Sequence, residues 1–532
     1  MSGSGAGRPR LAGAAAVLVV VLCLWRPALA ELVVYPAMPG RPLSSTFAMT
    51  VGGRAVPVQR YGNVSFAWFA FSGAADVRVT VSRPVSSYIL SPQRNPVPSR
   101  AAGREIAFSL SEPRKLVLRK VNGLSEELFI FAEALEADRP ALGAPGVFDV
   151  RRYGASPDGR GDATAPIQQA IDAAAARAGG GVAYVPPGTY PVTSSIRLRS
   201  HVHLYVAGGA IIRVRPGRYA SRVVFPISQV RRARIIGRGV IDGRGSEGED
   251  SYDFLMHTNQ AVDLWIRDVM FLDGRTTALR VAASRETRID NVKILSGSPH
   301  LSDGIDLEGS TQVTVADSFI YSSDDSIAIG SGTNTFSYGV GAPTDGIRIT
   351  RNVLHHPSSG YCCYGHVLSI VPWRGTSHIR NVGFDDNDAV WTGGGFSIYP
   401  FGGTNVESVT ISHSAVEETT EKPFELAAVD CSSWGPQNCG QPVRVLGHIR
   451  NVRVDDVSFG RVSAQPSVLR GFSATADVRG VYFNNVRIGG KLVRDAASGR
   501  IDIVGPYVTD VVFGAPGAGI SRALRPGPFA TP

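Results

Sequence analysis

The chain runs to 532 residues with a formal charge of +9, 60 glycines, and only 19% charged side chains. Length excludes a single ordinary domain unless a repeat absorbs the excess, and the composition excludes a disordered chain. No basic run interleaved with aromatics argues for nucleic acid, and no stretch beyond the N-terminal one is apolar enough to span a bilayer.

Residues 1–30 read as a secretory signal. Arg8 and Arg10 precede an apolar run from Leu11 to Trp25, and Ala28-Leu29-Ala30 supplies a small-x-small cleavage site, so a secreted protein is expected. Three arginines leave with it, so the mature charge is about +6, a solubility charge rather than a nucleic-acid footprint. Cys23 leaves too, and Cys362, Cys363, Cys431 and Cys439 remain. An even number in an exported chain predicts disulfides, in a pairing the spacing leaves open.

From Glu31 to about Glu136 short runs alternate apolar and polar, as in Val77-Arg78-Val79-Thr80-Val81, between Gly, Pro, Ser and Asn. This predicts an accessory β-sandwich over 31–137 that packs on the next domain or binds glycan. Asn63-Val64-Ser65 fits a glycosylation sequon. A joint rich in Pro, Gly and Ala over 138–146 ends this part. One amphipathic helix follows from Pro166 to Ala178, with Ile167, Ala170, Ile171 and Ala174 on one face and three glycines after it. Such a helix suits the open end of a solenoid, whose first coil would otherwise expose its core and strand edges.

Beyond it a degenerate repeat sets in, a β-branched or aromatic residue followed two positions later by Asp or Asn. It occurs at Ile266/Asp268, Ile289/Asn291, Val315/Asp317, Phe384/Asp386, Val454/Asp456 and Phe483/Asn485, with looser copies near Ile349 and Ile411. The expectation is an all-β chain, the sandwich followed by a right-handed parallel β-helix over 147–515 with one capping helix and a tail over 516–532. His355-His356 read as an exposed turn.

Within the solenoid, Leu301–Gly332 concentrates the acidic residues. Asp303 lies 21 residues before Asp324 and 22 before Asp325, about one coil, with His366 one coil further on. An Asp in a DG or DD pair is by itself a turn residue. Here the spacing would stack three carboxylates on one face, and carboxylates that close force at least one to keep its proton to high pH, which suits an acid catalyst beside a base. Asp306 sits in-strand close by, either as a structural residue or as an extra ligand. Tyr364, Trp373, Trp391, Tyr399 and Trp434 stand in or near inserted loops where rings can stack on sugars.

Phe148–Gly490 resembles the parallel β-helix glycosidases of the polygalacturonase and rhamnogalacturonase group. The opening FDVRRYGASPDGRGDATAPIQQAID is like that group's start. Its Asn-Thr-Asp-Gly element corresponds to Leu301-Ser302-Asp303-Gly304, its Asp-Asp element to Asp324-Asp325, and its Gly-His-Gly element to Gly365-His366-Val367. The group's Arg-Ile-Lys element, which grips a substrate carboxylate, should fall at 394–400, where Gly-Gly-Phe-Ser-Ile-Tyr-Pro stands, and Gly330 replaces a common lysine. A uronate without a cationic partner is costly to bury. The chain is similar also to the dextranase and isopullulanase family in layout and in its acidic triad.

The resemblance implies a secreted glycoside hydrolase on a neutral polysaccharide or oligosaccharide, inverting, with Asp324 as general acid, Asp303 and Asp325 activating water, and His366 tuning Asp324 or holding substrate. Asp306, Tyr364, Trp373, Arg374 and Tyr399 would contact the sugar. No cofactor or resident metal is expected, and a monomer is. The alternatives are a pectin hydrolase, a β-helix lyase in which the acidic cluster binds Ca²⁺ and Arg374 takes the proton, and a glycan-binding β-helix without catalysis.

Overall fold

The computed structural model describes residues 1, 3, 31–215, 217, 219, 221–246, 253–297, 302–331, 342–358, 365–372, 377–429 and 446–514. The signal sequence apart from Met1 and Gly3, the C-terminal tail, all the cysteines, Leu301, Tyr364, Trp373, Arg374 and Trp434 lie outside the described residues.

Between Leu32 and Ala134 two sheets, one of six strands and one of five, face each other. Ala75–Val81 alternates buried and exposed along its whole length, as its sequence requires. Val64–Phe71 is buried at every position instead. The cause is a second partner. Its even-numbered Phe66 and Trp68 join Val117, Phe129 and Phe131 against Met270, Leu272, Leu295, Phe319 and Tyr321 of the next domain, while Phe69 and Phe71 fill the sandwich interior.

From Val147 to Gly514 the chain winds as a parallel β-helix. One wall is a 10-stranded parallel sheet, and a larger 23-stranded sheet wraps the rest of each coil. The sequence repeat is the turn within that larger sheet. Ile266, Ile289, Val315, Ile349, Phe384, Ile411, Val454 and Phe483 pair in unbroken succession, all buried. Two positions on, Asp268, Asn291, Asp317, Arg351, Asp386, His413, Asp456 and Asn485 all have positive φ. Asp and Asn tolerate that left-handed conformation best, so the repeat marks a turn in which Asp or Asn recurs for backbone reasons.

The helix spans Thr164–Ala176 and buries Ile167, Ala170, Ile171 and Ala174 on the first coil. It starts two residues ahead of the expected Pro166, because Asp162 accepts both the Thr164 N–H (3.0 Å) and its hydroxyl (2.6 Å). No described helix is long and apolar enough to cross a membrane.

His355 and His356 are fully buried, against expectation. His355 Nε2 meets Glu127 of the sandwich at 2.6 Å, and His356 Nε2 meets Ser326 Oγ at 2.8 Å. Partners distant in sequence make this burial tolerable. The interface also buries Glu133, which accepts from Trp68 Nε1 (2.8 Å) and Lys293 Nζ (2.7 Å) and pairs with Arg238.

Removing Glu133 leaves the buried Arg238 with only the more distant Asp268 as a carboxylate partner and Lys293 with backbone carbonyls alone. Glu133→Ala should therefore cost about 3–5 kcal/mol of stability, read as a lowered denaturation midpoint, while Glu105→Ala in an exposed pair changes it by under about 1 kcal/mol.

Candidate active site

Asp303, Asp324, Asp325 and His366 all stand at the entry to strands of the 10-stranded wall, namely Ile305–Glu308, Ile327–Gly330 and His366–Ile370. The interior sets their registration. Leu279, Ile305, Ile327, Leu368, Phe396 and Phe424 stack inside. Backbone bonds lock the entries together, Gly304 N–H to Asp325 O (3.0 Å), Asp324 N–H to Ser302 O (3.1 Å) and Ser326 N–H to His366 O (2.9 Å).

The glycines beside these residues follow from space. A side chain at Gly304 would overlap Ile320 and the Ser326 carbonyl, one at Gly365 the backbone of Asp324, and one at Gly394 the His366 ring. The Asp-Gly and Gly-His elements are thus packing requirements of adjacent coils as well as chemical ones.

One oxygen each from Asp303, Asp324 and Asp325 lies within 4.8 Å of the others. Asp325 Oδ1 accepts the His366 backbone N–H at 2.7 Å and lies 3.3 Å from its Nδ1. His366 therefore holds Asp325 rather than bonding Asp324, and it acts on Asp324 only through space. Burial disfavours the imidazolium, but the bond to Asp325 and the charges of Asp325, Glu421 and Glu425 outweigh it and raise the His366 pKa. Burial, then the charges of Asp306, Asp324 and Asp325, drive the Asp303 pKa well above the ordinary range. Burial and Asp325 push Asp324 up to about 7, against the pull of His366. Two of the three carboxyls are thus built to keep protons near neutrality, as a cluster sharing them. Three such oxygens would equally suit a hard cation.

Asp306 is buried one strand position beyond, accepting from Thr277 Oγ1 at 3.1 Å, and burial lifts its pKa to about 7 although Arg280 opposes this. Arg280 is paired with Glu308 and almost wholly buried. Sequence reasoning missed both. The register of the coils, which sets Leu279 on Ile305 and Arg280 beside Asp306, is what reveals them. Asp303, Asp306, Arg280, Glu308, Thr277 and Phe254 line a cavity of ≈ 280 Å³. A hollow of ≈ 490 Å³ near Gln229, Arg231 and Arg285 is larger but is lined by no acid, and so lacks the chemistry.

On the other side, Gly394–Ile398 carries no cation. Its outward Ser397 donates to Ser369 Oγ at 3.0 Å, and the next rung is Glu425, paired with Lys422 at 2.8 Å. Tyr399, expected to stack on sugar, is buried with its own ring on Phe401 at 5.7 Å, so its face is already covered.

The raised pKa of Asp324 has a stability consequence. The folded chain keeps this proton up to about 7, whereas the unfolded chain loses it near 3.8. The folded state then binds more protons between those values, so stability falls as pH rises through that window. Asp324→Asn removes the loss. It should raise the denaturation midpoint at pH 8, by about 1–2 kcal/mol of stability, and not at pH 3.

Residues 147–340 match the family model described as rhamnogalacturonase A/epimerase, pectate lyase-like. An exopolygalacturonase of Zea mays is 25% identical over 219 residues, 38% of this chain and 53% of the relative. The chain spans about half the length of the curated relatives it matches. Among solved structures, a hyperthermoactive exopolygalacturonase from Thermotoga maritima superposes with a TM-score of 0.55 at 16% identity, covering 71% of this chain and 93% of that one. Dex49A from Penicillium minioluteum has the same TM-score at 14% identity but covers 90% of this chain and 96% of that one. The chain is thus a parallel β-helix protein that resembles the polygalacturonase and rhamnogalacturonase group, with residues 147–340 inside the matching family model.

Proposed function

We propose that the chain is a secreted, monomeric glycoside hydrolase, in which Asp324 protonates the leaving oxygen while Asp303 helps hold the attacking water and Asp325 deprotonates it. The observation that carries this reading is the convergence of three carboxylates within 4.8 Å, two of them with raised pKa values and one, Asp303, lining the ≈ 280 Å³ cavity. An acid that retains its proton near neutrality beside a carboxylate held by the His366 imidazole supplies both halves of glycosidic cleavage. His366 is a positioning residue, acting through Asp325.

The reading includes inversion at the anomeric carbon. The closest oxygens are nearer than the roughly 6.5–9.5 Å separation usual for inversion. The reading gives Asp303 and Asp325 the task of holding and activating water, so no covalent sugar ester is part of it. For substrate, the absence of any cation on Gly394–Ile398 and the neighbouring Glu425 favour a neutral glycan. A second reading, a polyuronate hydrolase, is favoured by the naming of the matched relatives as polygalacturonases.

The test is release of reducing ends from dextran, other neutral glycans and polygalacturonate, with ultraviolet absorbance for unsaturated products and with EDTA. A neutral-glycan hydrolase gives reducing ends from a neutral polymer, no unsaturation, no EDTA effect, and an initial product anomer inverted by NMR. Asp324→Asn should lower kcat by at least about two orders of magnitude. Preference for polygalacturonate establishes the second reading, retention overturns the stereochemistry, and unsaturated products or no products overturn the hydrolase.

A further inference from the structure

Along the outward face of the 10-stranded wall, His257, Arg280, Asp306 and Ala328 stand on successive rungs, with Glu308 and Gly330 on the parallel row beside the last two. Arg280 is 1% exposed, yet it lines the cleft, and its charge is met there by Glu308 and Asp306. Its Nε has no partner among the described residues. His257 Nε2, on the rung before, has none either, and burial with the nearby guanidinium pushes the ring's pKa down to about 4, so it stands neutral. Unpartnered donors and acceptors held this deep burden the fold unless a ligand satisfies them.

The geometry around the pair is open on one side. Gly330 follows Glu308 on its row, and a side chain there would press on Glu308 Cγ at 3.3 Å, so the glycine leaves the space above the pair to the cleft. Phe254 closes the near wall, its ring 5.2 Å from the Arg280 guanidinium and 5.3 Å from the His257 ring, giving an apolar surface next to the polar floor.

We propose that Arg280 and Glu308 form a subsite beside the carboxylate cluster that binds one neutral sugar ring by its vicinal hydroxyls, and that Glu308 is the residue that excludes uronates. The proposal rests on the reading of the cleft as a glycan site. A guanidinium alone would take a sugar carboxylate in bidentate fashion. Here Glu308 occupies the guanidinium and adds its own charge, with Asp306 behind it, so a ligand carboxylate meets repulsion. A diol, which both donates and accepts, matches a paired guanidinium and carboxylate without leaving either unpaired.

The test is calorimetric binding in the Asp324→Asn background, with isomaltotriose, maltotriose, cellotriose and galactotriose as neutral probes and trigalacturonate as the acidic one. At least one neutral trisaccharide should bind about tenfold or more tightly than trigalacturonate, and Arg280→Met should weaken it about tenfold. Glu308→Gln, which keeps the shape and removes the charge, should strengthen trigalacturonate and shift the preference toward it by about tenfold. A purely structural role would lower the denaturation midpoint without moving that preference. Should Arg280→Met fail to fold, Glu308→Gln decides alone. Trigalacturonate binding as tightly as every neutral probe, or an unchanged preference in Glu308→Gln, overturns the subsite. Absence of reducing ends from the wild type, with the binding results as expected, retires the hydrolase and leaves the subsite standing.

Discussion

Registration between coils is the constraint on which the rest depends. A parallel ladder permits no slippage when its inward residues form a continuous stack, because a shift of one residue would turn the whole row outward. The row from Leu279 through Ile305, Ile327, Leu368, Phe396 and Phe424 is such a stack. It fixes Asp303, Asp324 and Asp325 at one edge with their charges unrelieved by any lysine or arginine among the described residues. The electrostatic strain is borne by the packing beneath, and it becomes useful as proton retention.

The sandwich contributes from the other side of the coil. Its Phe129 packs on Phe319 at 4.9 Å and on Tyr321 at 5.1 Å, in the strand that leads directly into Asp324. His355, stacked on Tyr321 and bonded to Glu127, braces the next coil in the same place. An accessory domain with no acid at the cleft thus helps hold the segment that carries the acids. Its sequence hinted at this only through Val64–Phe71, too apolar for a strand with one wet face.

Much of the solenoid was legible in the sequence because its turns demand a backbone conformation that few residues accept. Asp268, Asn291 and Asp317 recur for that reason, and Arg351 and His413 occupy the same conformation where the pattern loosens. The acidic site was legible because its glycines are forced by close approach between coils, which ties Asp303 to Gly304 and His366 to Gly365. What the sequence hid was pairing across coils. Arg280 sits in an unremarkable apolar strand, and its tie to Glu308 exists only through registration. The burial of His355 hid for a similar reason, since its partner Glu127 lies 228 residues away in another domain. Tyr399 shows the reverse error, an aromatic near the site whose ring is already covered by Phe401.

Proton retention at the cluster is the central claim, and infrared difference spectroscopy of the carboxyl C=O stretch reads it directly. In the wild type a protonated carboxyl band should persist up to about pH 7 and diminish in both Asp303→Asn and Asp324→Asn. Loss of all carboxyl protonation by about pH 5, the ordinary behaviour of exposed aspartates, would contradict the account.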